Sequence, residues 1–290
     1  MPPPQRAGAA FDERSDDEAH MTNGSPAAKP LRLAATAVHW VEFFFRRADR
    51  SGDIYPDDEP HGQVPGVDPD RIMVMGERGE ISLGVVTHEL SIAGYTAREH
   101  HQRTGRGCAW SVATLPGDSI DDGRVLVGRH AGDIAKTDLV VVLAGISDCL
   151  TLTSAARWHR GLDEMLTALF EHLPLDAHVA VAEIPPLENA GSLSRSARLA
   201  AGYRSTLLNH RTRKLLRSHP RATAVPFPPE LTDRLWVPQS QQERYTRTYS
   251  LWSRSLMAAC LEARELVSSS GRHSSLRNPP PVHDPDREVR

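Results

Sequence analysis

An apolar run, Ile72-Met-Val-Met75, stops at Gly76 and is followed at once by Glu77 and Arg78. A carboxylate and a guanidinium at the end of a buried strand can pair with each other or hold an anion between charged groups and backbone amides. A second acid, Asp148, follows another apolar run, Asp138–Ala144, after Gly145-Ile-Ser147. If the two run ends are neighbours, Glu77, Arg78 and Asp148 share a pocket. Three arrangements then stay open. The first is a salt bridge that fills the pocket. The second is an anion site in which Arg78 and the amides near Gly117 hold a carboxylate or phosphate. The third is hydrolysis by the carboxylate pair Glu77 and Asp148, which needs a separation that residue order does not fix. Ser82 is the nearest hydroxyl, four residues past Arg78. His88 is expected as a first-turn side chain bonded to a carboxylate or water, with a role as general base as the alternative. His100 and His101 are expected on a solvated helix face.

These groups need elements to place them. The chain alternates short apolar runs with longer amphipathic stretches. Strands are expected at Ile72–Met75, Cys108–Ala113, Asp138–Ala144, Val179–Ile184 and Ala222–Pro226. Helices are expected at Thr87–Arg103, Ser119–Ala135, Arg157–Leu173, Ser194–Ser218 and Tyr245–Val267. The β-branched run at 138–144 shows no alternation, which suits a central parallel strand buried on both faces. Alternating strands and helices imply one parallel sheet covered on both sides. Ligands in such sheets sit beyond the carboxyl ends of the strands. The loops to search are therefore 76–84, 115–119, 145–153, 185–188 and the stretch before the last helix.

The whole chain has 290 residues, 34 Lys+Arg against 37 Asp+Glu and a net charge of −3, so it lacks the basic footprint of a nucleic-acid binder. The helix at 194–218 is rich in cations (Arg195, Arg198, Arg204, Arg211, Arg213, Lys214, Arg217) and is read as a solvated outer face. Three cysteines argue against a disulfide framework and lack metal-site spacing, so no metal is expected. No apolar run reaches the roughly 18 residues of a membrane span, and the N-terminus lacks an apolar signal core. The cytoplasm is the expected compartment. Residues 1–30 and 268–290 are expected as disordered tails. Residues 31–50 are expected as an amphipathic helix, whose stretch 31–47 packs an aromatic face on the domain or docks it on a membrane surface. Residues 51–70 hold Pro56, Pro60, Pro65 and Pro69 and are expected as a linker. A single α/β domain is expected over 71–267.

The loop sequences resemble the blocks of the SGNH/GDSL hydrolase family. Gly76-Glu77-Arg78, followed by Ile81-Ser-Leu-Gly-Val85 and a helix with Ala93-Gly94 and Ala97-Arg98, looks like the opening Gly-Asp-Ser block. Leu115-Pro-Gly117-Asp-Ser resembles the second block, whose glycine lends an N–H to the oxyanion hole. Gly145-Ile-Ser147-Asp148 resembles the third, usually Gly-x-Asn-Asp, and Tyr249-Ser-Leu-Trp252 the Tyr-x-x-Trp of the last helix. The likeness spans about 71–265. It implies a three-layer, flavodoxin-like α/β fold with a five-stranded parallel sheet. It also implies acyl-ester hydrolysis or transfer through an acyl-serine, without a cofactor, on a small-molecule acyl ester.

The departures fall on the reactive positions. Arg78 stands where the family has its nucleophilic serine, and a guanidinium has no nucleophilic oxygen. Ser147 stands where the family has asparagine. The family's Asp-x-x-His is matched best by Asp233-Arg-Leu-Trp236, with Trp236 in the histidine's place. A triad needs a nucleophile, a base and an orienting acid, and only the acid, Asp233, survives this comparison. Gly117 and the backbone of Arg78 remain as oxyanion donors. Ser82 is carried as a relocated nucleophile, although it does not stand on the tight strand-end turn that the family uses. The polar stretch Gln239–Tyr249 is expected as the first turns of the last helix, or as a lid over the pocket. Two functions follow: a hydrolase of degenerate or atypical activity, or a non-catalytic protein that binds an anionic ligand through Arg78.

Overall fold

The computed structural model describes residues 53–190, 193–231 and the backbone of 241–277, with side chains described over 245–263 of that last segment. The expected tail at 1–30, the helix at 31–50, and both Asp233 and Trp236 lie outside the described residues.

The strands are β1 (His61–Val64), β2 (Val67–Gly76), β3 (Arg106–Thr114), β4 (Leu139–Leu143), β5 (His178–Ala182) and β6 (Ala222–Val225). They form one sheet in the order β1-β3-β2-β4-β5-β6. Every pair is parallel except β1 with β3. The helices are α1 (Arg78–Ser82), α2 (Ile92–Thr104), α3 (Gly123–Arg129), α4 (Ala131–Ile134), α5 (Ile146–Leu150), α6 (Ala155–His172), α7 (Arg195–Leu216) and α8 (Gln241–Arg277).

Strand periodicity builds the two cores. Met73 and Met75 of β2 and Val140 and Val142 of β4 point to one face, against Trp158, Leu162 and Met165 of α6 and Leu208 of α7. Ile72, Val74, Val141 and Leu143 point to the other, against Ile92 and Ala97 of α2 and Trp252 and Leu256 of α8. All five residues of β4 are buried, as its unbroken apolar run requires. The Trp158 indole on the first face is partnered across elements, donating to Thr212 Oγ1 at 3.0 Å.

The helix boundaries follow capping chemistry. Ser91 caps α2 by accepting from the Ala93 N–H, and Gly105 closes it in a left-handed conformation. Ser154 and Ser194 cap α6 and α7 in the same way. The single helix expected over 119–135 is instead a 3-10 turn at Ile120–Asp122 followed by α3 and α4, broken at His130. The last helix is longer than expected. It continues to Arg277, through the first ten residues of the stretch read as a tail.

The stretch read as a linker supplies β1 and the start of β2, so the sheet has six strands rather than five. Pro69 is accommodated because the β2–β3 register shifts between Val67 and Asp70, and an irregular position needs no ladder donor. Asp70 is buried, accepting from Arg106 and bonded to the His100 ring at 2.8 Å. His100 is accordingly buried, 2% exposed, rather than on a solvated face. It shares Asp70 with Arg106, which also pairs with Asp68.

Candidate functional site

The carboxyl ends of β2, β3 and β4 meet through the backbone. The Leu115 N–H donates to the Gly76 carbonyl and the Glu77 N–H to the Leu143 carbonyl, both at 2.8 Å. Gly76 has φ +150°, and a Cβ there would collide with the Leu143 carbonyl. Only glycine lets β2 turn this close to β4. The first three loops of the sequence reading are thus one structural unit.

That unit is organised around carboxylates. Glu77 Oε1 accepts from the Gly145 N–H at 2.6 Å, and its carboxylate also accepts from the Ser147 N–H at 3.0 and 3.1 Å. Glu80 Oε1 accepts from the Ile146 N–H between them at 3.1 Å. Two acids from the first turn after β2 therefore cap the free donors at the start of α5, where acids are favoured. Asp148 reaches the other way. It accepts from the Ile120 N–H at 2.9 Å, Thr153 Oγ1 at 2.7 Å and Ser119 Oγ at 3.3 Å. The third block is thereby pinned to both the first and the second.

All three acids are buried: Glu77 is 4%, Glu80 5% and Asp148 1% exposed. Burial pushes the Glu77 carboxyl up to about 7 against the pull of the Gly145 and Ser147 donors, and the Asp148 charge adds to the rise. Burial and the neighbouring Glu77 charge hold the Glu80 carboxyl well above the ordinary range. Asp148 is raised by burial, with the bonds from Thr153, Ile120 and Ser119 opposing. All three shifts run in the same direction, because each carboxylate loses solvent and lies near the charge of another acid. Among the described residues no group of His, Cys, Asp and Glu is arranged to hold a metal ion.

Arg78 does not enter this cluster. It is exposed, and its guanidinium lies over the Tyr55 ring, 4.4 Å from the centroid. Among the described residues it forms no ion pair with Glu77 or Asp148, so the salt bridge expected to fill the pocket is absent. The reason is that backbone N–H groups already satisfy both carboxylates, which leaves no gain from burying a guanidinium beside them. The geometry leaves Arg78 at the strand-end turn with its donors toward solvent and an aromatic ring beneath it.

The other sequence candidates separate. The Gly117 N–H donates to Asp122 Oδ2 at 3.0 Å, so this oxyanion donor is occupied. Ser147 is half-buried at the first turn of α5 and belongs to the Glu77 cap. Ser82 is 1% exposed, and its hydroxyl donates to the Arg78 carbonyl one turn back, at 3.3 Å. His88 Nδ1 is bonded to Asp58 at 2.8 Å, and Asp58 also accepts the His88 N–H at 2.9 Å. The first turns of α8 place Tyr245 against Gly84 and stack it on Tyr249, whose hydroxyl donates to the Leu83 carbonyl at 2.9 Å.

Sequence reasoning missed Glu80, Tyr55, Asp122 and Asp58. Glu80 carried a usable signal, because it lies three residues past Glu77 and a helical turn puts both on one side. Tyr55, Asp122 and Asp58 carried none, since their partners come from other elements.

No family model matches the sequence, and no curated protein resembles it closely enough to match. Solved structures do match its fold. A lipase from a goat rumen metagenome superposes with a TM-score of 0.52 at 13% identity, over 66% of this chain and 97% of that one. An extracellular lipase from Streptomyces rimosus aligns at 18% identity with a TM-score of 0.47, over 66% of this chain and 99% of that one. The chain has the fold of the SGNH/GDSL hydrolases, with helices on both faces of a central sheet.

Proposed function

We propose that this chain is a non-catalytic member of the SGNH-hydrolase fold that binds a small anionic ligand at the strand-end turn after β2, with Arg78 as the anchor. The observation that carries the reading is the side chain at the strand-end turn. Where the hydrolases that this sequence resembles place their serine, an exposed guanidinium rests on Tyr55. A guanidinium cannot attack a carbonyl carbon, but its fork of donors suits a carboxylate or phosphate. The ring of Tyr55 holds it in place, which lowers the entropy lost on binding. Two further observations support the reading. The Gly117 N–H is already bonded to Asp122, and the Ser147 N–H to Glu77, so neither is open to an oxyanion. Ser82 is buried inside its own turn.

The guanidinium fork suits a carboxylate, and a short-chain carboxylate is the ligand class that the reading assigns to Arg78. The test is calorimetric titration with hexanoate, run beside an assay for hydrolysis of p-nitrophenyl hexanoate. The expected result is binding that weakens at least tenfold in Arg78→Ala, with no ester turnover above background. Turnover by the wild type, or hexanoate affinity unchanged in Arg78→Ala, overturns the proposal.

A second reading, atypical hydrolysis, is favoured by one observation. The Nδ1 bond to Asp58 sets the His88 ring as a catalytic acid would, with Nε2 left as the working nitrogen. Under that reading ester turnover is present and is lost in His88→Ala.

A further inference from the structure

The most unusual surface of the molecule lies on α7. Its sequence from Arg195 to Leu216 contains no Asp or Glu, although the chain as a whole carries more acids than bases. Helical spacing puts Arg195, Leu199, Tyr203, Lys214 and Arg217 on one side. All five are exposed. Among the described residues Arg213 pairs with Glu183, whereas Arg195, Lys214 and Arg217 have no acidic partner. Between the cations at the two ends sit two large apolar side chains one turn apart, Leu199 at 64% and Tyr203 at 69% exposed. A helix of this length presents such a stripe over roughly 30 Å.

We propose that this face of α7 docks the protein on an anionic lipid bilayer. Charge decides the partner first. The helix carries no acid of its own, and the acids that reach its edge are Glu183, which is paired with Arg213, and Glu188 beside Gly202, so the cations Arg195, Lys214 and Arg217 leave the face complementary to a negatively charged surface. The apolar pair decides the second point. Leu199 enters the acyl boundary and Tyr203 takes the headgroup level, where amphipathic aromatic rings settle. A nucleic acid would use the cations but leaves Leu199 in water. Topology gives the docking a direction. Helix α7 follows β5, so its N-terminal turns lie at the carboxyl end of the sheet, the end that carries Arg78. The Arg195, Leu199 and Tyr203 end of the face therefore lies at the same end of the sheet as Arg78. This surface is separate from the residues 31–47 considered in the sequence, and the proposal does not depend on Arg78 binding an anion.

The test is co-sedimentation of the full chain with vesicles of phosphatidylcholine and phosphatidylserine, beside vesicles of phosphatidylcholine alone. One lysine or arginine near such a surface changes partitioning about fivefold. The expected result is binding to the anionic vesicles only, falling more than a hundredfold in Arg195→Glu/Lys214→Glu/Arg217→Glu, since removing three cations alone gives about that factor and reversing them adds to it. Leu199→Ser/Tyr203→Ser is expected to lower it at least fivefold. Circular dichroism and unfolding midpoints of both variants should match the wild type, since every altered side chain is exposed. Failure of the wild type to bind, or binding that both variants retain, overturns the proposal. So does a double-stranded oligonucleotide that binds the wild type more tightly than the vesicles do and is lost in the same charge variant.

Discussion

Replacing Glu77 by Gln tests the carboxylate unit that joins the three strand ends. The carboxyl group is held at about 7 in the folded chain, against an ordinary value near 4.5. The folded state therefore binds the proton more tightly than the unfolded state does. The stability this contributes is fully present below about pH 4.5 and is lost as the pH rises through about 7. For a single group shifted by this amount, unfolding free energy falls by about 2 kcal/mol between pH 5 and pH 7. Glu80, shifted in the same direction, adds to the fall. In Glu77→Gln the amide oxygen can still accept from the Gly145 and Ser147 N–H groups, but nothing titrates at that position. Urea unfolding at pH 5, 6, 7 and 8 should show the variant's stability falling less steeply than that of the wild type. The difference between the two slopes should reach about 2 kcal/mol over pH 5–7. Parallel slopes for variant and wild type, or a wild type that gains stability over that range through this group, would refute the reasoning.

Three further outcomes follow from the same geometry. Gly76→Ala should fail to give soluble folded protein, or lose at least about 3 kcal/mol by chemical denaturation, because its Cβ meets the Leu143 carbonyl of the neighbouring strand. Asp70→Ala should cost about 2–3 kcal/mol, since it strands the buried His100 ring and removes a partner of Arg106. Arg106 is 40% exposed on its side chain, which limits its share, and the loss should read out as a lower unfolding midpoint at neutral pH. Arg78→Ser, which restores a hydroxyl at the strand-end turn, should leave p-nitrophenyl ester hydrolysis at background, because Gly117 and Ser147 still donate to Asp122 and Glu77.

The layered α/β architecture was legible because β4 is an unbroken apolar run, β5 is one from Val179 on, and the long helices α6 and α7 carry serine caps. The order of the strand-end loops was legible too, through Gly76, Gly117 and Gly145. The first strand was not. His61–Val64 is short and half-exposed, and its place is set by pairing with β3 rather than by its own pattern. The start of β2 reads as a turn because Val67-Asp-Pro-Asp70 mixes a proline with two acids. Its strand character depends on the shifted register and on Arg106, which lies 36 residues from Asp70 along the chain. His100 looked solvated for a related reason, as its acid arrives from another element. Within the site, the sequence named Glu77, Arg78 and Asp148 but left open whether they form an ion pair, an anion site or a carboxylate pair. Opposite charges adjacent in sequence suggest an ion pair, whereas the fold satisfies the acids with N–H groups at the start of α5 and near Ile120. Which donors a carboxylate meets depends on which loops the sheet brings together, and residue types alone do not contain that.

The central claim is that this fold here carries no acyl-serine chemistry. It is tested most directly by exposing the native protein to a fluorophosphonate, which labels activated serines covalently, and reading the intact mass. The account predicts an unchanged mass in the wild type and in Ser82→Ala alike. A stoichiometric adduct on any serine of the wild type, at Ser82 or Ser147 above all, would contradict it.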